Sequence, residues 1–143
     1  SVMKFDVKRY NDIDSKTLHN IFLLRSEVFV VEQECAYQDI DGKDFKSIHI
    51  IGKQKEEIIA YSRIMSLNKE FCSIGRVLVK KELRKKGIGI KLMTKSIKEA
   101  TNEFNRRKIK ISAQEMNEMD SFEEEQLTDN EVVEYIKGRR TIH

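Results

Sequence analysis

The residues best suited to chemistry lie between positions 73 and 93. There an apolar run, Ser73-Ile74-Gly75-Arg76-Val77-Leu78-Val79, leads through the basic stretch Lys80-Lys81-Glu82-Leu83-Arg84-Lys85-Lys86 into Gly87-Ile88-Gly89-Ile90-Lys91. The pattern reads as a strand, a loop and a helix opened by glycines. Glycines at 87 and 89 let the backbone approach a ligand closely. The first N–H groups of a helix lack intrahelical partners, and the helix dipole favours an anion beside them. A pyrophosphate suits such a seat, with Lys80, Lys81, Lys85, Lys86 and Lys91 available to neutralise it and a further phosphate. The plainer alternative is a solvated basic face ahead of a helix.

Two familiar phosphate-binding patterns do not fit this loop. A P-loop ends in Gly-Lys-Ser/Thr, whereas Gly89 is followed by Ile90 and Lys91. A dinucleotide fingerprint needs a small residue where Leu92 stands and an acid at the end of the next strand, where Ser112-Ala113-Gln114 occurs. What remains is Arg-x-x-Gly-x-Gly at positions 84–89.

A second group of candidates lies upstream. The helical phase of Leu18, Ile21, Phe22, Val28 and Phe29 puts Arg25 and Glu32 on the buried side. Either the arginine stem packs while its head meets a carboxylate, or this edge of the helix borders a cleft. Residues 33–44 lose periodicity and collect Cys35, Tyr37, Asp39, Asp41 and Gly42, a long polar loop of the kind that carries binding residues.

The elements that must position these residues follow from pattern and punctuation. A strand is expected over 3–9, a turn at Asn11-Asp12, and a helix capped at Asp14 or Ser15 that runs to about residue 31. Strands over 47–52, 58–65 and 71–79, with turns at 53–57 and 67–70, read as an antiparallel meander. A helix over 87–104 and a strand over 108–113 complete a parallel crossover, right-handed by the usual rule. A helix over 115–126 and strands near 132–136 and at the terminus are expected to follow. Gly75 inside a strand marks a bulge or a close backbone approach.

Composition bounds the class. A chain of 143 residues without proline, repeats or a Gly/Ser linker is read as one domain over residues 1–143. With 27 basic against 24 acidic residues, overall charge points to neither nucleic acid nor a membrane surface. The basic stretch 76–110 lacks a zinc knuckle, an RNP aromatic run or a helix-turn-helix pattern, so nucleic acid is not expected as partner. Apolar runs are too short to span a bilayer, and the start lacks a signal-peptide pattern. Cys35 and Cys72 form neither a disulfide framework nor a zinc-ligand cluster, so no metal is expected and a cytoplasmic location is.

The glycine loop resembles the acyl-coenzyme A loop of the GNAT superfamily of N-acyltransferases. The likeness continues in Leu24-Arg25-Ser26-Glu27-Val28-Phe29-Val30-Val31-Glu32-Gln33, in Cys35, in Tyr37-Gln38-Asp39-Ile40-Asp41-Gly42 and in Asp44. It extends to Ala60-Tyr61-Ser62-Arg63-Ile64 and Ile111-Ser112-Ala113-Gln114, and these runs together are similar to the ElaA-like branch over most of positions 24–114. The resemblance implies an α/β fold with a mixed, mostly antiparallel sheet splayed like a V between flanking helices. It implies acetyl-coenzyme A as co-substrate and a small-molecule or peptide amine as acceptor, the protein being a monomer or homodimer. Cofactor-side positions are then Val77, Leu78, Val79, Arg84, Lys85, Lys86, Gly87, Ile88, Gly89, Ile90 and Gln114. The main chain of 77–79 would pair with pantetheine and supply an oxyanion donor. The acceptor side would hold Arg25, Cys35, Tyr37, Tyr61 and Arg63.

Acyl transfer to an amine needs that amine neutral, so a base must take its proton. Glu34 and Glu32 qualify by position near the expected cleft, and His49 by its titration range. Many members of the family also carry Phe-Tyr-x-x-x-Gly-Phe after the fifth strand, whose tyrosine is thought to protonate the departing thiolate. The matching positions here read Ser121-Phe122-Glu123-Glu124-Glu125-Gln126-Leu127, and Phe122 has no proton to give. A degenerate acyl-coenzyme A binder, serving as sensor or partner protein, is therefore the alternative to an enzyme. Phe122→Tyr is expected to raise turnover; unchanged or lower turnover in a folded variant contradicts that expectation.

Overall fold

The computed structural model describes residues 3–105 and 108–111. They build one five-stranded sheet in the order β1-β2-β3-β4-β5, namely Met3–Arg9, Ile48–Gln54, Glu57–Ser66, Phe71–Val79 and Lys108–Ile111. The first four strands pair antiparallel and β5 joins β4 in parallel. The meander and the parallel crossover both follow the sequence expectation. The features expected beyond residue 111, including Gln114, Phe122, the helix over 115–126 and the later strands, lie outside the described residues.

Local chemistry explains the joints. Asp14 caps helix α1, Ser15–Arg25, by accepting the Thr17 N–H at 2.7 Å. The turn between β2 and β3 places Lys55 and Glu56 at φ of 52° and 70°, the left-handed geometry that matches strand twist in tight hairpins. Asn68 closes the next turn by accepting the N–H groups of Glu70 and Phe71, both at 2.8 Å. Beyond Arg25 the helix does not stop but widens into a π-helical stretch, Ser26–Glu32. The expected single helix is thus present with its last turns unwound.

Each face of the sheet carries a helix. On one side α2, Ile88–Glu103, buries Leu92, Met93, Ile97 and Ala100 against Ile50, Ile64, Ile74, Val77 and Val79. On the other, Ile21, Leu24, Val28 and Phe29 pack on Ile51, Ile58, Tyr61 and Leu78. Strand β4 contributes to both cores, but its parity changes midway. Cys72 and Ile74 face α2, and after an extra residue Val77 and Val79 face it instead. The pairing registers this directly: Tyr61 opposes Leu78 while Arg63 opposes Gly75, so Arg76 and Val77 together face Ser62. That is a β-bulge, and without it Arg76 rather than Val77 would enter the α2 core.

Opposite the bulge, the Ser62 and Ser96 hydroxyls lie 2.7 Å apart, and Ser96 also donates to the Leu92 carbonyl at 2.7 Å. The α2 helix is thereby tied to the bulged segment. Because Ser96 keeps a second partner, Ser62→Ala is expected to cost about 1 kcal/mol. Leu92→Ala, which opens a cavity under the same strand, is expected to cost about 2–5 kcal/mol. Urea denaturation checks the order, and a larger loss for Ser62→Ala contradicts this packing account.

Candidate active site

The charge expected on the core stripe of α1 lies within a buried network. Arg25 is fully buried; its Nε donates to Asp39 Oδ2 at 3.0 Å, its Nη1 to Asp44 Oδ1 at 2.7 Å and its Nη2 to the Asp39 carbonyl at 2.9 Å. Arg63, on β3, donates from Nη1 to Asp41 Oδ1 at 2.8 Å and to Asp44 Oδ1 at 3.1 Å. Arg76, on the bulge, reaches Asp39 Oδ1 at 2.8 Å from its Nε. Three guanidinium groups thus meet three carboxylates from the 33–44 loop and the short 3-10 turn Asp44–Lys46 that ends it. The loop is fixed by charge-assisted hydrogen bonds rather than by regular structure.

Aromatic groups complete the network. The Arg25 guanidinium lies over the Phe22 and Tyr61 rings at 5.2 and 5.6 Å, and that of Arg76 over Tyr37 at 5.5 Å. His49 is fully buried. Its Nε2 lies 3.0 Å from the Asp44 carbonyl, which can only accept, so the proton sits on Nε2. Its Nδ1, 2.6 Å from the Tyr61 hydroxyl, then accepts from it. Burial holds the Tyr61 hydroxyl well above the usual phenol range, which keeps that proton in place.

These contacts correct part of the expected site. Arg25, Tyr61 and Arg63 are expected on the acceptor side, and His49 as a base, but all four are buried and engaged with one another or with Asp39, Asp41 and Asp44. They offer no open surface to a substrate. Tyr37 and Cys35 do remain exposed on the loop. Glu34 is exposed too, at a left-handed φ of 51° just beyond the π-helical stretch.

The loop after β4 is built for close approach. Gly87 is the N-cap of α2 at φ 84°, a conformation glycine takes without penalty. Lys85, itself at φ 64°, and Lys86 are exposed, Ile88 and Gly89 are buried, and Ile90 is half-buried. Arg84 turns inward instead. Its Nε donates to the Val79 carbonyl at 2.9 Å, and its two terminal nitrogens grip both oxygens of Glu32. Glu32 and Arg84, expected on opposite sides of a cleft, thus bridge it. Beside them a cleft of about 200 Å³ runs between Leu24, Glu27, Val28 and Val31 on one wall and Lys80, Lys81 and Glu82 on the other. Arg76 and Asp44 stand in the runs that carry the resemblance, yet neither was expected as a site residue; a positive φ inside a strand leaves no mark on composition.

Comparison with known proteins places this geometry. The acetyltransferase (GNAT) family profile matches residues 17–121. A UPF0039 protein of Schizosaccharomyces pombe is 38% identical over 117 residues, covering 80% of this chain and 78% of that protein. Protein ElaA of Escherichia coli is 36% identical over 109 residues, 73% of this chain and 71% of ElaA. The ElaA crystal structure superposes with a TM-score of 0.77 over 85% of this chain and 86% of that one. An acyl-CoA N-acyltransferase from Pseudomonas aeruginosa gives 0.75 at 31% identity, covering 79% and 80%. Among the described residues no helix is long and apolar enough to cross a membrane.

Burial depresses the His49 pKa, the Asp44 carbonyl and carboxylate oppose the shift, and the Arg25 and Arg63 charges reinforce it. The unfolded chain therefore takes up this proton first, so the stability linked to neutral His49 is complete above about pH 6.5 and is lost as pH falls below it. The contribution to the slope is at most about 1.4 kcal/mol per pH unit. His49→Gln is expected to flatten denaturation midpoints measured from neutral to mildly acid pH. An unaltered slope contradicts this.

Proposed function

The chain belongs to the acetyltransferase (GNAT) family, in its ElaA-like branch, and from that premise we propose that it moves an acetyl group from acetyl-coenzyme A to a primary amine. The family and the fold are those of acyl-coenzyme A N-acyltransferases. The observation that carries the reading is the glycine-capped start of α2, where left-handed Gly87 opens a sixteen-residue helix. Main-chain N–H groups at such an end suit a diphosphate, and exposed Lys85 and Lys86 add compensating charge.

In this reading the thiol arm lies along 77–79 at the end of β4. The neutral amine attacks the thioester carbonyl, the carbon–nitrogen bond forms, and the carbon–sulfur bond breaks, the proton shed by the nitrogen passing by way of solvent to the departing thiolate to release coenzyme A. Main-chain N–H of Val77 meets the oxyanion. Glu34, exposed on the loop, and Glu32, held by Arg84, are the carboxylates assigned to the amine proton. The cleft beside Glu32 and the exposed loop carrying Cys35 and Tyr37 form the acceptor side.

Phe122, at the position where the family resemblance implies a tyrosine acid, favours a second reading in which the chain binds the cofactor without turning it over. Thiol release from acetyl-coenzyme A, measured against a panel of small amines and peptide amino groups, separates the two. Release above hydrolysis with at least one amine is expected. Gly87→Val, which forces a β-branched residue into the left-handed region, is expected to weaken coenzyme A binding on the order of tenfold or more. Binding without release with any amine overturns the transferase reading, and no calorimetric heat with millimolar coenzyme A overturns the site.

A further inference from the structure

Arg76 takes φ of 49° in the middle of β4, a conformation that non-glycine residues in strands rarely adopt. Bulges whose first residue is left-handed use glycine there, and a glycine is available one position earlier, at 75. The bulge turns at the arginine instead, so something outside β4 must hold it. The candidates are on the page: Nε at 2.8 Å from Asp39 Oδ1, Nη2 at 3.1 Å from the Asp39 carbonyl and 3.4 Å from Asp41 Oδ2, and the Tyr37 ring stacked on the guanidinium. Asp39 and Asp41 are themselves anchored by Arg25 and Arg63, so the grip is rigid.

We infer that Arg76 is a positioning residue whose hold on Tyr37, Asp39 and Asp41 fixes the left-handed turn of the β4 bulge, and with it the direction of the Val77 N–H group. This rests on the acyl-transfer reading for its catalytic consequence. The bulge sets which main-chain donors of 77–79 face the thioester carbonyl, and an oxyanion donor works only when aimed where charge develops. Because Tyr37, Asp39 and Asp41 sit on the loop that carries the exposed acceptor-side residues, one contact joins acceptor recognition to the oxyanion donors.

Arg76 that merely anchored the loop would behave differently from Arg76 that holds a backbone angle. Glycine adopts φ near 50° unaided but makes none of the side-chain contacts. Arg76→Ala is therefore expected to lower kcat on the order of tenfold or more, with KM for acetyl-coenzyme A changed less than about threefold. Arg76→Gly is expected to recover most of that kcat. Equal losses in the two variants, or no loss in Arg76→Ala, overturn the inference.

A second measurement needs no turnover. A positive φ brings the amide and α protons of one residue close together, so residue 76 in the parent chain is expected to show a strong intraresidue amide–α proton NOE. Asp41→Asn, at a half-buried position, is expected to weaken it. A parent chain that shows the NOE yet releases no thiol with any amine removes the acyl-transfer reading while leaving the bulge contact standing. A weak NOE in the parent chain, or one unchanged by Asp41→Asn, removes the bulge contact itself.

Discussion

The rest of this structure depends on the meeting of Arg25, Arg63 and Arg76 with Asp39, Asp41 and Asp44. Ions taken out of water lose several kcal/mol of solvation each, and that loss is offset only where geometry is good and donors are satisfied. Here the charges balance, and each carboxylate is gripped by at least two arginines. Such a network adds little net stability over an apolar core. What it does supply is position: one helix, one irregular loop, two strands and a bulge have a single arrangement in which all six groups are paired.

That arrangement organises both halves of the site. The Asp residues hold residues 33–44 against the sheet, so Cys35, Tyr37 and Glu34 stand at the surface on a fixed support. Arg76 carries the same constraint into β4, where the parity change sends Val77 and Val79 under α2 and Leu78 towards α1. Arg84 and Glu32 add a second link, from the end of the π-helical stretch to the loop that leads into α2. Departures from regular geometry gather here: the π-helical stretch, Glu34, Arg76, Lys85 and Gly87. Local strain that persists needs surrounding structure to enforce it, and at Arg76 the buried ion network is that structure.

Much of this was legible in the residues because it rests on local rules. Period-two alternation and turn residues such as Asn68 marked the meander, and the 3.6-residue phase of Ile90, Met93, Ile97 and Phe104 marked α2. Gly87 and Gly89 announced a helix start open to close approach. Arg25 on an apolar stripe announced a carboxylate partner, although periodicity left open whether its helix edge instead lined a cleft. What escaped was non-local. Gly75 signalled a bulge, but the turning residue is Arg76, because Asp39 and Asp41, more than thirty residues away in sequence, hold it there. His49 and Tyr61 looked like site residues by type; their burial and mutual hydrogen bond emerge only once β2 and β3 are paired.

Central to this proposal is a backbone seat, formed by the end of β4 and the glycine loop and held rigid by buried charge, that receives the arm and diphosphate of acetyl-coenzyme A. Amide hydrogen exchange of the intact chain, with and without saturating acetyl-coenzyme A, addresses it most directly. The predicted result is slowed exchange concentrated in residues 77–79 and 84–91, with β1 unaffected. Saturating ligand that leaves both segments exchanging as before, or that protects only other parts of the chain, would contradict the claim.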